Sequence, residues 1–155
     1  MSSEIPDWIP SPYYTLINSS RGSDPAVLVV NSALRLFARR EYFAWQANIQ
    51  LTCKDLGANG MPTSEEGAIL NTLEDSISGG VLNASNGVFL AKVTCRGQRE
   101  LKYRVHDPEI TNTFLKDMTS LPNPIREWEY RIEHDPEWSL AHPELSLLER
   151  DPRFN

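Results

Sequence analysis

The residues best equipped for chemistry occur twice in the same order. His-Asp-Pro-Glu stands at residues 106–109 and again at 134–137, and holds two of the chain's three histidines. An imidazole beside two carboxylates is a donor set for a metal ion or an acid–base pair. The same tetrapeptide also suits a strand-to-helix joint. Asp caps the open N–H groups of a helix start, Pro fits the first helical position, and Glu favours the positive end of the helix dipole. Asp107-Pro108-Glu109 and Asp135-Pro136-Glu137 each meet all three requirements, so both motifs are read as joints. Zinc needs three or four convergent ligands, which adjacent His and Asp at a cap do not supply. No metal and no cofactor is expected. Alternation places His106 on a polar face and His134 on an apolar one, and His142, in AHPEL, is read as a surface residue.

The remaining candidates are weaker. Glu74 and Asp75 could form a carboxylate dyad, but a solvated helix face is the preferred reading. Cys53 and Cys95 are read as inward-facing and inert, on strands separated by a third and too far apart to bond. No G-x-S-x-G, P-loop or H-E-x-x-H occurs. Catalytic residues are therefore not assigned. The enzymatic alternative is an acid–base site around Glu100, Arg104 and His106.

Positioning these residues requires a particular order of elements. After a Pro-rich opening, Tyr13 to Asn18 and Ala26 to Asn31 form a hairpin. In the run 42–53, Phe43, Trp45, Ala47, Ile49, Leu51 and Cys53 share one face of a half-buried strand. Residues 63–80 form a helix. Thr63 and Glu66 have capping-box spacing, Ile69, Leu70, Leu73 and Ile77 make the apolar stripe, and Gly79-Gly80 stops it. Residues 88–105 form a second hairpin. If Phe89, Ala91, Val93 and Cys95 face the same way as Leu101, Tyr103 and Val105, the turn is the three-residue loop Arg96-Gly97-Gln98. A helix over 107–118 follows, with Ile110, Phe114 and Met118 inward, then a strand over 127–133 and a short helical tail.

From residue 42 onward this is β-α-β-β-α-β, the ferredoxin-like split unit of an α+β protein: an antiparallel sheet with helices on one face. The expected organisation is one domain over 1–155. It comprises an N-terminal hairpin extension (1–38), a ferredoxin-like core (39–134) and a helical tail (135–155). Parity then assigns Gln46, Asn48, Gln50, Lys92, Glu100, Lys102, Arg104, Glu129 and Arg131 to the open sheet face. Trp45, Phe89, Tyr103, Trp128 and Tyr130 point into the helix-covered core. A sheet that stacks single-stranded RNA needs aromatics on its open face, so that mode is disfavoured.

Composition agrees with a folded domain. Hydrophobic residues make up 40% of 155, enough for a core. Formal net charge is -6, which argues against a nucleic-acid partner and suits a basic protein. No apolar run approaches a membrane span, and the first ten residues lack a secretory pattern. The cytoplasm is the expected compartment, and two cysteines fit its reducing conditions.

Several blocks together carry a family resemblance. They are GMPTSEEGAILNTLEDSI, AKVTCRGQRELKYRVHD and YRIEHDPEW. Gly60 and Pro62, Leu73-Glu74-Asp75, Thr94 with Gly97, Arg99 and Glu100, and residues 135–138 stand where these motifs require. The chain resembles the bacterial family known as domain of unknown function 695. The family's tyrosine shortly after the terminal Trp has no counterpart in SLAHPELSLL. Some members resemble the B-type regulator of ribonuclease activity, which inhibits by binding. The resemblance implies a protein-binding regulator or inhibitor and transfers no site residue. The nine open-face residues are the candidate contact set.

Overall fold

In the computed structural model, which describes residues 5–152, the alternation of strands and helices takes definite bounds. The elements are β1 (Tyr14–Arg21), β2 (Asp24–Asn31), β3 (Trp45–Thr52), α1 (Ser64–Val81), β4 (Gly87–Cys95), β5 (Gln98–Val105), α2 (Pro108–Thr119), β6 (Trp128–His134) and α3 (His142–Glu149). The strands form one sheet in the order β1-β2-β4-β5-β3-β6, antiparallel throughout. This is an α+β fold, and the N-terminal hairpin extends the sheet beyond β4 as expected. No helix among the described residues is long and apolar enough to cross a membrane.

The sheet has two buried faces. On the first, α1 and α2 cover Ala47, Ile49 and Leu51 of β3 and Leu101, Tyr103 and Val105 of β5. Trp45, Phe89, Trp128 and Tyr130 pack against that cluster, as parity requires. On the second, α3 and the segments around Leu34 and Phe43 cover Ala26, Leu28, Val30, Ala91, Val93 and Cys95. Helices on one face alone would have left these apolar residues in water.

That second core corrects the reading of β4. Phe89 pairs with Tyr103, yet Ala91 pairs with Lys102, because Leu90 is a bulged extra residue. A bulge breaks the period of two. Ala91, Val93 and Cys95 therefore turn to the α3 side, and Lys92 turns to the α1 side. The β4–β5 turn is the two-residue Arg96-Gly97, with Cys95 paired to Gln98. Both turn residues have positive φ, 52° and 74°, which matches the strand twist and suits Gly97. Val93 lies opposite Glu100 and is buried under α3.

Local corrections have similar causes. Thr63 caps α1 by accepting from the Glu66 N–H at 3.2 Å, but the Glu66 side chain does not close the box. It accepts instead from the Lys54 N–H and from Arg126. α1 runs past Gly80 to Val81, and Gly80 serves close packing: a Cβ there would lie 2.0 Å from Phe114 Cζ. In α2 the buried residues are Thr111 and Leu115, and Ile110 is 56% exposed. Cys53 and Cys95 are both buried free thiols, on opposite faces of the sheet.

Candidate functional site

The two His-Asp-Pro-Glu motifs differ in use. Asp107 is the N-cap of α2, its Oδ1 accepting from the Glu109 N–H at 2.9 Å, with Pro108 in the first turn. His106 is exposed, its Nδ1 lying 2.8 Å from the Tyr42 carbonyl and its ring stacked on Tyr42 at 3.9 Å. At the second motif no α-helix starts. The chain turns, Trp138 adopts φ 59°, a 3₁₀ turn spans Ser139–Ala141, and α3 begins only at His142. Asp135 accepts from the N–H groups of Ser139 and Leu140, at 3.0 and 2.9 Å. It is a turn cap, not the helix cap that the sequence suggested. His134 is exposed and lies against Trp45, and His142 is exposed too.

What the Asp135 turn encloses is Arg104. The guanidinium is 0% exposed. Its Nε and Nη2 donate to the Phe43 carbonyl, Nη1 donates to Gln46 and to Asp135 Oδ2, and Nη2 also donates to the Asp135 carbonyl. Those five bonds match the five N–H groups that arginine has. Trp138 closes the node, with the Arg104 guanidinium 4.5 Å from its ring and its indole N–H donating to the Arg40 and Phe43 carbonyls. Burial pulls the Arg104 pKa down, and Asp135 opposes that pull. The node ties the tail to β3 and β5.

Next along β5, Lys102 is buried between Glu144 of α3 and Glu100. Glu144 is buried, and its Oε2 has no hydrogen-bond partner among the described residues. Lys92, assigned by parity to the open face, instead meets Glu74 of α1 at 3.2 Å. Glu74 also lies 3.6 Å from Arg99, so it belongs to an ion-pair cluster rather than a solvated helix face.

The nine candidate residues thus divide. Lys92 faces α1, and Gln46, Lys102 and Arg104 are buried beneath the tail. Asn48, Gln50, Glu100, Glu129 and Arg131 remain together, with Tyr130, around a shallow recess of about 250 Å³. Strand pairing places Gln50 between Glu100 and Glu129, and Asn48 beside Arg131. Among the described residues neither Gln50 nor Glu129 has a side-chain hydrogen bond or ion pair. A larger cavity of about 480 Å³ adjoins it at the sheet end, lined by Gln50, Gln98, Trp128 and Glu129 among others.

An acid–base site around Glu100, Arg104 and His106 is not brought together. Glu100 and Arg104 are four residues, about 13 Å, apart along one strand. Arg104 is fully engaged and His106 lies on Tyr42. The groups whose proton affinity the fold moves are structural ones. Arg126 holds Glu66 down to about 2. Burial pushes the Tyr103 hydroxyl, bonded to Ser78, and the Cys53 thiol up.

Reading the sequence missed Trp138, Asp135 as the partner of Arg104, and Glu144. Trp138 stood inside a motif already noted, but nothing in the spacing linked it to residue 104. No curated protein matches the chain, and no solved structure does. The profile of a family of unknown function, DUF695, matches residues 15–142, which is most of the chain, and the chain belongs to that family.

Proposed function

We propose that the chain is a non-enzymatic module that binds another protein, as a regulator or inhibitor, through the recess formed by Asn48, Gln50, Glu100, Glu129 and Arg131. One observation carries the reading. Among the described residues Gln50 and Glu129 are uncommitted polar side chains on adjacent strands, beside Glu100, while the polar residues next to them are tied into the fold. Side chains with unused donors and acceptors on a rigid sheet lose little entropy on binding. Two carboxylates beside one arginine, on a chain of net charge -6, suit a basic surface. The free thiols of Cys53 and Cys95 support a reducing compartment, the cytoplasm. The sheet order β4-β5-β3-β6, with α1 and α2 as the connections, supports a ferredoxin-like split unit for that half. A relation to the B-type regulator of ribonuclease activity would agree with action by binding.

The test is affinity capture from the native cell with the unaltered chain and a Gln50→Arg/Glu129→Arg variant side by side. A protein retained by the first and lost by the second supports the reading. Retention of the same proteins by both, or of none, overturns it.

A further inference from the structure

The two edges of the sheet are unlike. β6 carries Glu129, Arg131 and Glu133, alternating charges that oppose pairing with another strand. β1 reads YTLINSSR, with no charge before Arg21 and no proline, and pairs with β2 without a bulge. No described residue pairs with its outer side. An eight-residue edge without these safeguards is a template for strand addition.

Which groups point outward follows from the ladder. The Tyr13 carbonyl accepts from the Ser32 N–H, so residue 13 faces β2. Alternation then directs Thr15, Ile17 and Ser19 to β2, and leaves the N–H and C=O of Tyr14, Leu16, Asn18 and Ser20 outward. The side chains of Tyr14 and Leu16 are 59% and 58% exposed. Ile17 and Thr15 face the α3 side, where Ile17 is half-buried.

We propose that β1 pairs antiparallel with β1 of a second copy of this chain, on a twofold axis at Ile17. That register is self-complementary on three counts. It matches outward groups with outward groups, Leu16 with Asn18 and Tyr14 with Ser20 of the second copy. It sets Ile17 directly opposite Ile17, in the closely spaced non-hydrogen-bonded position. It brings the exposed Leu16 diagonal to Leu16 of the second copy, so each covers the other. Charge favours the same place: two chains of net charge -6 repel, and the stretch from Tyr14 to Ser20 is where neither brings a charge. The two six-stranded sheets then become one continuous sheet. Edge pairing of this length buries a small area, so the dimer is reversible.

The experiment is sedimentation equilibrium on the full chain, with Leu16→Lys and Asn18→Pro variants whose folding is checked by circular dichroism. Leu16→Lys places like charges across the axis. Asn18→Pro removes an outward N–H and leaves the bonds to β2 intact. The expected result is a monomer–dimer equilibrium in the unaltered chain and at least a tenfold weaker dimer in each variant. Hydrogen exchange of the native chain gives an independent readout: the Leu16 and Asn18 amides become protected as concentration rises. A chain that stays monomeric to about 1 mM overturns the proposal, even if a displayed-peptide selection then finds an extended peptide on β1. A dimer that survives both variants uses another surface and overturns it too.

Discussion

Asp135 holds Arg104 twice, through its carboxylate at 2.8 Å and through its own backbone carbonyl at 2.5 Å. The same carboxylate caps the turn that carries Trp138 over the guanidinium. A buried arginine is tolerable only when its charge and all its N–H groups are met. Here one aspartate sets the turn, neutralises the charge and positions the ring that excludes water.

Asp107 and Asp135 should therefore respond differently to the same exchange. Asp107→Ala should lower stability by about 1 kcal/mol, and Asp107→Asn should recover most of it, because an amide oxygen still accepts the Glu109 N–H. Asp135→Asn keeps an acceptor but removes the charge that Arg104 needs. It should cost about 3 kcal/mol, close to the cost of Asp135→Ala. Urea midpoints of the four variants, with two-state unfolding verified, check this. Recovery by Asn at residue 135 would show that capping alone explains that side chain.

Gly80 should resist substitution although it lies in a helix. Alanine favours helix by about 1 kcal/mol over glycine, but its Cβ would meet three atoms of the Phe114 ring at 2.0–2.2 Å. Gly80→Ala should lower stability by about 1–3 kcal/mol through displacement of that ring. In a Phe114→Leu background the same change should be neutral or stabilising. A double-mutant cycle showing no coupling would contradict the contact.

Much of this architecture was written in periodicities that survive locally. The run 45–52 alternates cleanly, so β3 and its aromatic face were legible. The caps at Thr63 and Asp107 rest on neighbours in sequence, and were legible too. What failed was parity carried past Leu90, where one bulged residue reversed Ala91, Lys92, Val93 and Cys95. The polar face failed for another reason. Gln46, Lys102 and Arg104 do lie on it, but a tail some 30 to 100 residues distant in sequence folds over them, and no local pattern records that.

Stability should fall in acid through Glu66. Its carboxyl is buried and bonded to Arg126 at 2.8 and 2.5 Å, and to the Lys54 N–H. These hold its folded pKa at about 2, below an ordinary value of 4.5. A depressed carboxylate stabilises the fold above its unfolded pKa, and loses that contribution as pH falls from about 4.5 toward 2. Glu66→Gln should be less stable than the native chain at pH 7, and the gap should narrow across that window. Unfolding midpoints of both proteins between pH 2 and 7 measure it, and a constant gap would count against the Arg126 pairing as its cause.

Lys102 and Glu144 give an asymmetric case. Their ion pair is buried, with side-chain exposures of 9% and 2%. Lys102→Met would leave the Glu144 carboxylate without its cation, in a site where Oε2 already lacks a partner among the described residues. That should cost about 3–5 kcal/mol. Glu144→Leu is milder, because Lys102 keeps Glu100 at 3.1 Å and the change removes an unsatisfied oxygen. The double variant Lys102→Met/Glu144→Leu exchanges the pair for apolar contacts beside Leu145 and Leu148, and should return to near native stability. The order expected is native and double variant highest, Glu144→Leu next, Lys102→Met lowest. A double variant that loses the sum of the two single costs would mean that the residues do not act as a pair, and that the tail is held by Arg104 and Trp138 alone.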